Sequence, residues 1–174
     1  MKSREFRRSN TEVIVIAHNI RSILNLGSII RSAECFGVGT VITSGWTPSI
    51  NHGLPHIQTK MKQQLHKTAL GAEDIVKIIY CDDIYRQVEK LKTDNYQIVG
   101  LEQSSDSIEL PNFVASNKVA LLLGEEVDGI NPQLMKMCDT LVEIPMFGQK
   151  ESLNVSVAAG IALYEISSKN SFRQ

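Results

Sequence analysis

The 174 residues are 43% hydrophobic and 21% charged, with 18 Lys and Arg against 19 Asp and Glu for a formal net charge of −1. A chain of this size buries about 70% of the surface its unfolded form exposes, so a single globular domain over residues 1–174 is expected, and disordered, collagen-like and disulfide-stapled classes are excluded. No apolar run approaches the roughly 20 residues of a membrane-spanning helix.

The chain opens with MKSREFRRSN, a basic arm over residues 1–10 that lacks the apolar core of a secretory leader. This predicts a cytoplasmic protein. A compact β-branched run at 13–17, ending in His18-Asn19, predicts the first strand. A helical pattern over 28–36 follows, then a strand at 40–43. Residues 45–67 are read as one long irregular segment, basic and containing Gly, Pro and His, and therefore a candidate substrate-gripping loop. Beyond it come a strand at 76–80, a helix over 83–91 with Ile84, Val88 and Leu91 on one face, and strands at 97–101 and 118–123. A helix at 132–137 is announced by Asn131-Pro132, an N-cap followed by a proline at the first helical position. A strand at 141–144 and a helix over 153–168 complete the chain. Six strands alternating with helices predict an α/β fold: a mostly parallel sheet with helices on both faces.

Cys35, Cys81 and Cys138 form an odd set with no C-x-x-C spacing, which predicts reduced thiols in or beside the core. His52 and His56 alone are an incomplete ligand set, so no metal is expected.

The near-neutral total hides a division. Residues 1–72 hold nine bases and three acids (+6), and the remainder nine bases and sixteen acids (−7). No acid stands between Glu34 and Glu73, whereas Lys60, Lys62, Lys67, His52, His56 and His66 do. Such asymmetry points to nucleic acid, although basic segments neutralised by acids in the fold would give the same count.

Nucleotide-binding G-x-G-x-x-G and P-loop patterns and the G-x-S-x-G hydrolase elbow are missing. Three other segments follow predicted strands, where open α/β sheets bind ligands. In NIRSILNLGSIIR (19–31), a helix beginning near Gly27 would leave Asn25 in the loop and set Arg31 in the first turns, against the helix dipole, in need of an anion or of Glu34. In GEEVDG (124–129), three carboxylates occupy a glycine-flanked turn. In IPMFGQKESLNVSV (144–157), Ser152 is a plausible N-cap, while Asn154 and Ser156 are poor choices for helix propensity alone and suggest a polar site at the helix start.

Together these segments resemble the three motifs of the SPOUT class of RNA methyltransferases, in its SpoU or TrmH branch. Asn25, Gly27 and Arg31 match N-x-G-x-x-x-R, Gly124, Glu126 and Gly129 match G-x-E-x-x-G, and residues 144–156 match I-P-M-x-G-x-x-x-S-L-N-V-S. The resemblance implies a C-terminal deep trefoil knot, a homodimer with the active site at the subunit interface, and methyl transfer from S-adenosylmethionine to a ribose 2'-OH of RNA. It assigns the cofactor pocket to Leu101, Glu102, Gly124, Ile144, Met146, Ser152 and Leu153. It assigns the chemistry to Arg31, either as the base that takes the 2'-OH proton or as a stabiliser of the developing alkoxide, with Asn25, Glu126, Ser152 and Asn154 positioning it or the ribose. With no appended RNA-binding domain expected, the basic arm (Arg4, Arg7, Arg8), Arg21, Lys60, Lys62 and Lys67 are the candidate RNA contacts, and Phe6 and Trp46 could stack on bases, core packing being the other reading for Trp46. Transfer RNA is expected ahead of ribosomal RNA. A base-methylating relative and a non-catalytic RNA-binding dimer are the alternatives.

Overall fold

A computed structural model of the protein describes residues 11–50 and 54–169. Its centre is a seven-stranded sheet: β1 (Glu12–His18), β2 (Thr40–Ser44), β3 (Lys77–Cys81), β4 (Gln97–Leu101), β5 (Ile108–Glu109), β6 (Lys118–Leu123) and β7 (Thr140–Glu143). The spatial order is β3-β2-β1-β6-β4-β7-β5, and every pairing is parallel. Between and after the strands run α1 (Ile23–Cys35), α2 (Pro55–Ala69), α3 (Ile84–Thr93), α4 (Pro132–Met137) and α5 (Val155–Lys169).

The strands are apolar on both faces because helices cover both, as a parallel sheet requires. Successive side chains alternate between two core clusters. Val13, Val15 and Ala17 of β1 and Val119, Leu121 and Leu123 of β6 join Leu26, Ile29 and Ile30 of α1 and Ala159, Ala162 and Leu163 of α5. Ile14 and Ile16, with Ala120 and Leu122, face the opposite way towards Ile84, Val88 and Leu91 of α3 and Leu134 of α4.

The connection from β4 to β6 crosses over the chain's later elements. β7 lies between β4 and β5 although it follows both in sequence. At the end of α5, the Lys169 ammonium donates to the carbonyls of Leu110, Pro111 and Phe113 and pairs with Glu165 at 2.9 Å. The β5–β6 connection is thereby tied to the C-terminal helix.

Four features depart from the expectations. The segment 45–67 is not irregular: Pro55 opens the fifteen-residue α2, which buries only Leu65 and Ala69. Helix α1 begins at Ile23, with Ser22 as its N-cap, so Asn25 is helical and Arg31 lies beyond the first turns. A seventh strand, the two-residue β5, joins the sheet's far edge. Cys35 is exposed, because it falls on the outer face of α1; Cys81 and Cys138 are half-buried as free thiols.

Candidate active site at the carboxyl edge of the sheet

In a parallel sheet all strands deliver their carboxyl ends to one edge. The strands β1, β6, β4 and β7 are consecutive neighbours, so the segments that follow them, 19–22, 124–129, 102–107 and 144–154, emerge side by side. Motifs far apart in sequence converge for that reason alone.

Glu126 is the hub. Its carboxylate accepts from the Asn25 amide at 3.0 Å and from the backbone N–H groups of Ser22 and Arg21, each at 3.3 Å. The Ser22 hydroxyl accepts from the Asn25 N–H at 3.3 Å and caps α1. A carboxylate at this position also meets the positive end of the helix dipole. Burial works to raise the Glu126 carboxyl, but the Asn25 amide and the backbone N–H groups outweigh it and hold it below the usual carboxylate range. Next to it, Glu125 forms an ion pair with Arg21.

Asn154 extends the hub to the third motif. Its amide donates to the Asn25 side-chain oxygen at 3.2 Å, while its own oxygen accepts from the Ser156 N–H at 2.9 Å and the Ser156 hydroxyl at 2.6 Å. Asn154 therefore caps α5. The expectation that Ser152 does so is corrected: the helix starts at Val155, and Ser152 lies two residues upstream of the cap. The three segments are thus joined by one relay of amides ending on a carboxylate.

The turn 124–129 closes on itself through two reciprocal bonds, Glu125 N–H to the Gly129 carbonyl and the reverse, both 3.0 Å. Gly129 has φ +66° and a Cβ there would strike the Glu102 carboxylate. That carboxylate accepts from the Ile130 N–H at 2.6 Å and the Gln103 N–H at 3.1 Å. Gly27 answers to a different demand. A Cβ on it would lie 2.7 Å from the Leu65 carbonyl and collide with the Thr68 hydroxyl, which donates to the Leu24 carbonyl at 2.9 Å. This motif glycine lets α1 and α2 touch rather than shaping a ligand loop.

A cavity of about 230 Å³ opens beside the hub, and all seven residues expected to line a cofactor pocket, Leu101, Glu102, Gly124, Ile144, Met146, Ser152 and Leu153, stand around it. The lining is acidic: the three carboxylates of the 124–129 turn, Glu125, Glu126 and Asp128, stand there with Glu102, and Glu143 joins them without having been among the sequence candidates. The strand-end position of Glu143 was the available signal. Residues 146–153 make no backbone–backbone hydrogen bond with the described residues, which leaves their N–H and C=O groups available to water or a ligand.

Other expected residues fall elsewhere. Arg31 is exposed and makes no ion pair or side-chain hydrogen bond with the described residues; in particular it does not pair with Glu34. By helical spacing it shares the outer face of α1 with Leu24 (47% exposed), Ser28 and Cys35, beside the face of α5 bearing Val157, Ile161 and Tyr164. Lys60, Lys62 and Lys67 are exposed on α2. Arg4, Arg7 and Arg8, with Phe6 and His52, lie outside the described residues. No group of three or more His, Cys, Asp or Glu side chains among the described residues could hold a metal ion.

The SpoU rRNA Methylase family model matches residues 12–164. A 23S rRNA (guanosine-2'-O-)-methyltransferase, RlmB, of Xylella fastidiosa is 34% identical over 154 residues, 88% of this chain and 57% of that protein. Its Coxiella burnetii counterpart is 30% identical over 92% of this chain. The chain thus spans less than two thirds of the length of these curated relatives. Among solved structures, a TrmH/SpoU tRNA modifying enzyme of A. aeolicus superimposes with a TM-score of 0.77 at 26% identity, over 94% of this chain and 77% of that one.

Proposed function

The chain belongs to the SpoU rRNA Methylase family, and from that premise we propose that it transfers a methyl group from S-adenosylmethionine to a ribose 2'-OH in RNA, with ribosomal RNA as the substrate. The observation that carries the reading is the Asn154–Asn25–Glu126 relay, which joins all three motif segments at the rim of one cavity. The expectation of transfer RNA gives way here to ribosomal RNA, because the RlmB relatives at 34% and 30% identity are named for 23S rRNA.

The cavity's chemistry fits the cofactor. S-adenosylmethionine, when bound, supplies an electrophilic methyl on a positively charged sulfur. The Asp128 and Glu143 carboxylates on the lining have no ion-pair partner among the described residues, so they provide negative potential for such a cation. Glu102 holds the floor through the Ile130 N–H, and the free main-chain groups of residues 146–153 are suited to the cofactor's polar edges.

Arg31 acts as an electrostatic stabiliser. A guanidinium has donors only and stays protonated, so it binds the RNA phosphate and the developing alkoxide rather than removing the 2'-OH proton. In one copy it faces away on the α1–α5 surface, where Leu24, Val157, Ile161 and Tyr164 leave apolar area exposed. A homodimer formed through that surface would cover the apolar area and carry Arg31 to the partner's relay, with Asn25, Ser152 and Asn154 orienting the ribose. Lys60, Lys62 and Lys67 would hold RNA phosphates. The trefoil knot belongs to the same reading, supported by β7 lying between β4 and β5 and by the Lys169 tie to residues 110–113.

The deciding experiment offers labelled S-adenosylmethionine with ribosomal RNA and, separately, transfer RNA from cells lacking the gene, followed by nuclease digestion. Label in a 2'-O-methylnucleoside from ribosomal RNA is expected. Label in a methylated base rejects ribose chemistry, and no label despite cofactor binding rejects catalysis by this chain alone.

A further inference from the structure

The turn that follows β2 carries a second constellation. Trp46 is 74% exposed, although indole is among the most costly surfaces to leave in water. Nothing about the turn is loose. Its backbone N–H donates to the Asn19 side-chain oxygen at 2.9 Å. The next residue, Thr47, is buried, donating its hydroxyl to the Ala17 carbonyl and accepting from the Ile20 N–H, both at 2.9 Å. Beneath, the His18 imidazole is bonded to the Ser44 hydroxyl at 2.8 Å, and burial holds that histidine below its ordinary value. Asn19 and Gly45 both take left-handed backbone, φ 59° and 62°, a strained choice for the asparagine. Tyr80 of the neighbouring β3 is 42% exposed and its hydroxyl reaches the Gly45 carbonyl at 3.5 Å.

The same loop that positions Trp46 also positions the relay. Residues 18–22 bond to 44–47 on one side and to Glu126 on the other. An exposed indole on a hydrogen-bonded turn therefore stands on the carboxyl edge of the sheet, next along from the motif segments. After it the chain leads to α2, whose exposed face carries His56, Lys60 and Lys67 at helical spacing.

We propose that Trp46, with Tyr80 beside it, is a stacking subsite for an unpaired RNA base adjoining the methylated nucleotide, and so a determinant of which RNA structures are accepted. The proposal rests on the RNA-methylating reading above and adds to it a requirement for single-stranded character at the target. Aromatic faces take any base, so the subsite selects unstacked geometry rather than sequence. Because the backbone of the turn is already ordered, only the side chain of Trp46 has freedom to lose on binding, which is the physical use of the bonds that lock its turn.

Trp46 is the sole tryptophan of the chain, and its fluorescence reports the subsite without competing signals. The full-length protein is titrated with a ten-nucleotide unpaired oligoadenylate and with an abasic oligonucleotide carrying the same phosphates. Quenching by the first and not by the second is expected. Trp46→Ala should weaken oligoadenylate binding by roughly tenfold, as for loss of one base-stacking contact, and raise KM for RNA with kcat little changed, whereas Trp46→Phe should recover most of the loss and neither should alter S-adenosylmethionine affinity. Equal quenching by the abasic strand, or a signal that follows protein dilution instead of RNA, overturns the subsite. Base-dependent quenching without methyl transfer to any RNA pool would sink the methylation reading and leave the subsite standing. Normal methylation with no quenching would do the reverse.

Discussion

Asn25 and Arg31 share helix α1 and one sequence motif, yet they stand in opposite circumstances. Asn25 is held on both sides, giving to Glu126 and receiving from Asn154, whereas Arg31 projects from the outer face without an ion-pair partner among the described residues. The relay is complete within one copy and works as a frame. A cation left unpaired beside exposed apolar side chains is the part of the site that is still waiting for something. The contrast separates what folding organises from what substrate or a second copy must supply.

Removing Arg31 should break the comparison most severely. Arg31→Ala is expected to lower methyl transfer about 10²–10³-fold, the usual cost of deleting one donor to a developing oxyanion, while thermal unfolding stays within a degree or so of wild type because no ion pair or side-chain hydrogen bond with the described residues is lost. A large drop in Tm would mean that Arg31 serves the fold. Mixing inactive Arg31→Ala with inactive Glu126→Ala sharpens the point: if each site draws Arg31 from the partner, mixed dimers contain one intact site and about a quarter of wild-type activity returns. No recovery would place each Arg31 with its own relay.

Stability should respond on the other side of the comparison. Gly27→Ala forces a methyl against the Leu65 carbonyl and the Thr68 hydroxyl, and is expected to cost about 1–3 kcal/mol in urea unfolding, with kcat changed less than by Arg31→Ala. The smallest effect concerns acid. Because Glu126 is held below its ordinary 4.5, its contribution is fully present above that pH and is lost as pH falls through the lower folded value. Glu126→Gln should therefore flatten the dependence of Tm on pH below 4.5, and an unchanged acid limb would show that the carboxylate's bonds contribute little.

Much of this arrangement is legible in the amino-acid sequence. Strands β1, β2, β4 and β6 are apolar runs, β-branched in β1 and β2 and leucine-rich in β6, buried on both sides, and their signal is strong. The motif segments were located at strand ends, and their expected pocket residues do surround one cavity. What escaped is equally physical. Helix α2 buries only two residues fully, and its apolar positions Ile57, Met61, Leu65 and Ala69 recur every four residues among many polar ones, a narrow stripe that a basic Gly-, Pro- and His-containing segment obscures although Pro55 marks its first turn. The start of α1 was placed too late because Asn25 and Gly27 look like loop residues in isolation: one is recruited by a carboxylate a hundred residues away, the other by a helix that must come close. β5 is too short to leave a pattern. Trp46 could equally have been core, and its exposure is a tertiary fact.

The sheet order has one more result, for solubility. Among the described residues β3 has a partner on one side only, and it presents Ile79 and Tyr80 partly to solvent along an open ladder. Such an edge is a template on which a second chain can grow. Here Lys77 stands at its start and Asp82-Asp83 just past its end, so charge brackets the Ile-Ile-Tyr run and a second copy pairing parallel and in register would meet like charge at both ends. Neutralising those three positions should leave catalysis intact yet make concentrated solutions scatter light, which would show that this margin of the sheet is guarded by charge against parallel in-register stacking.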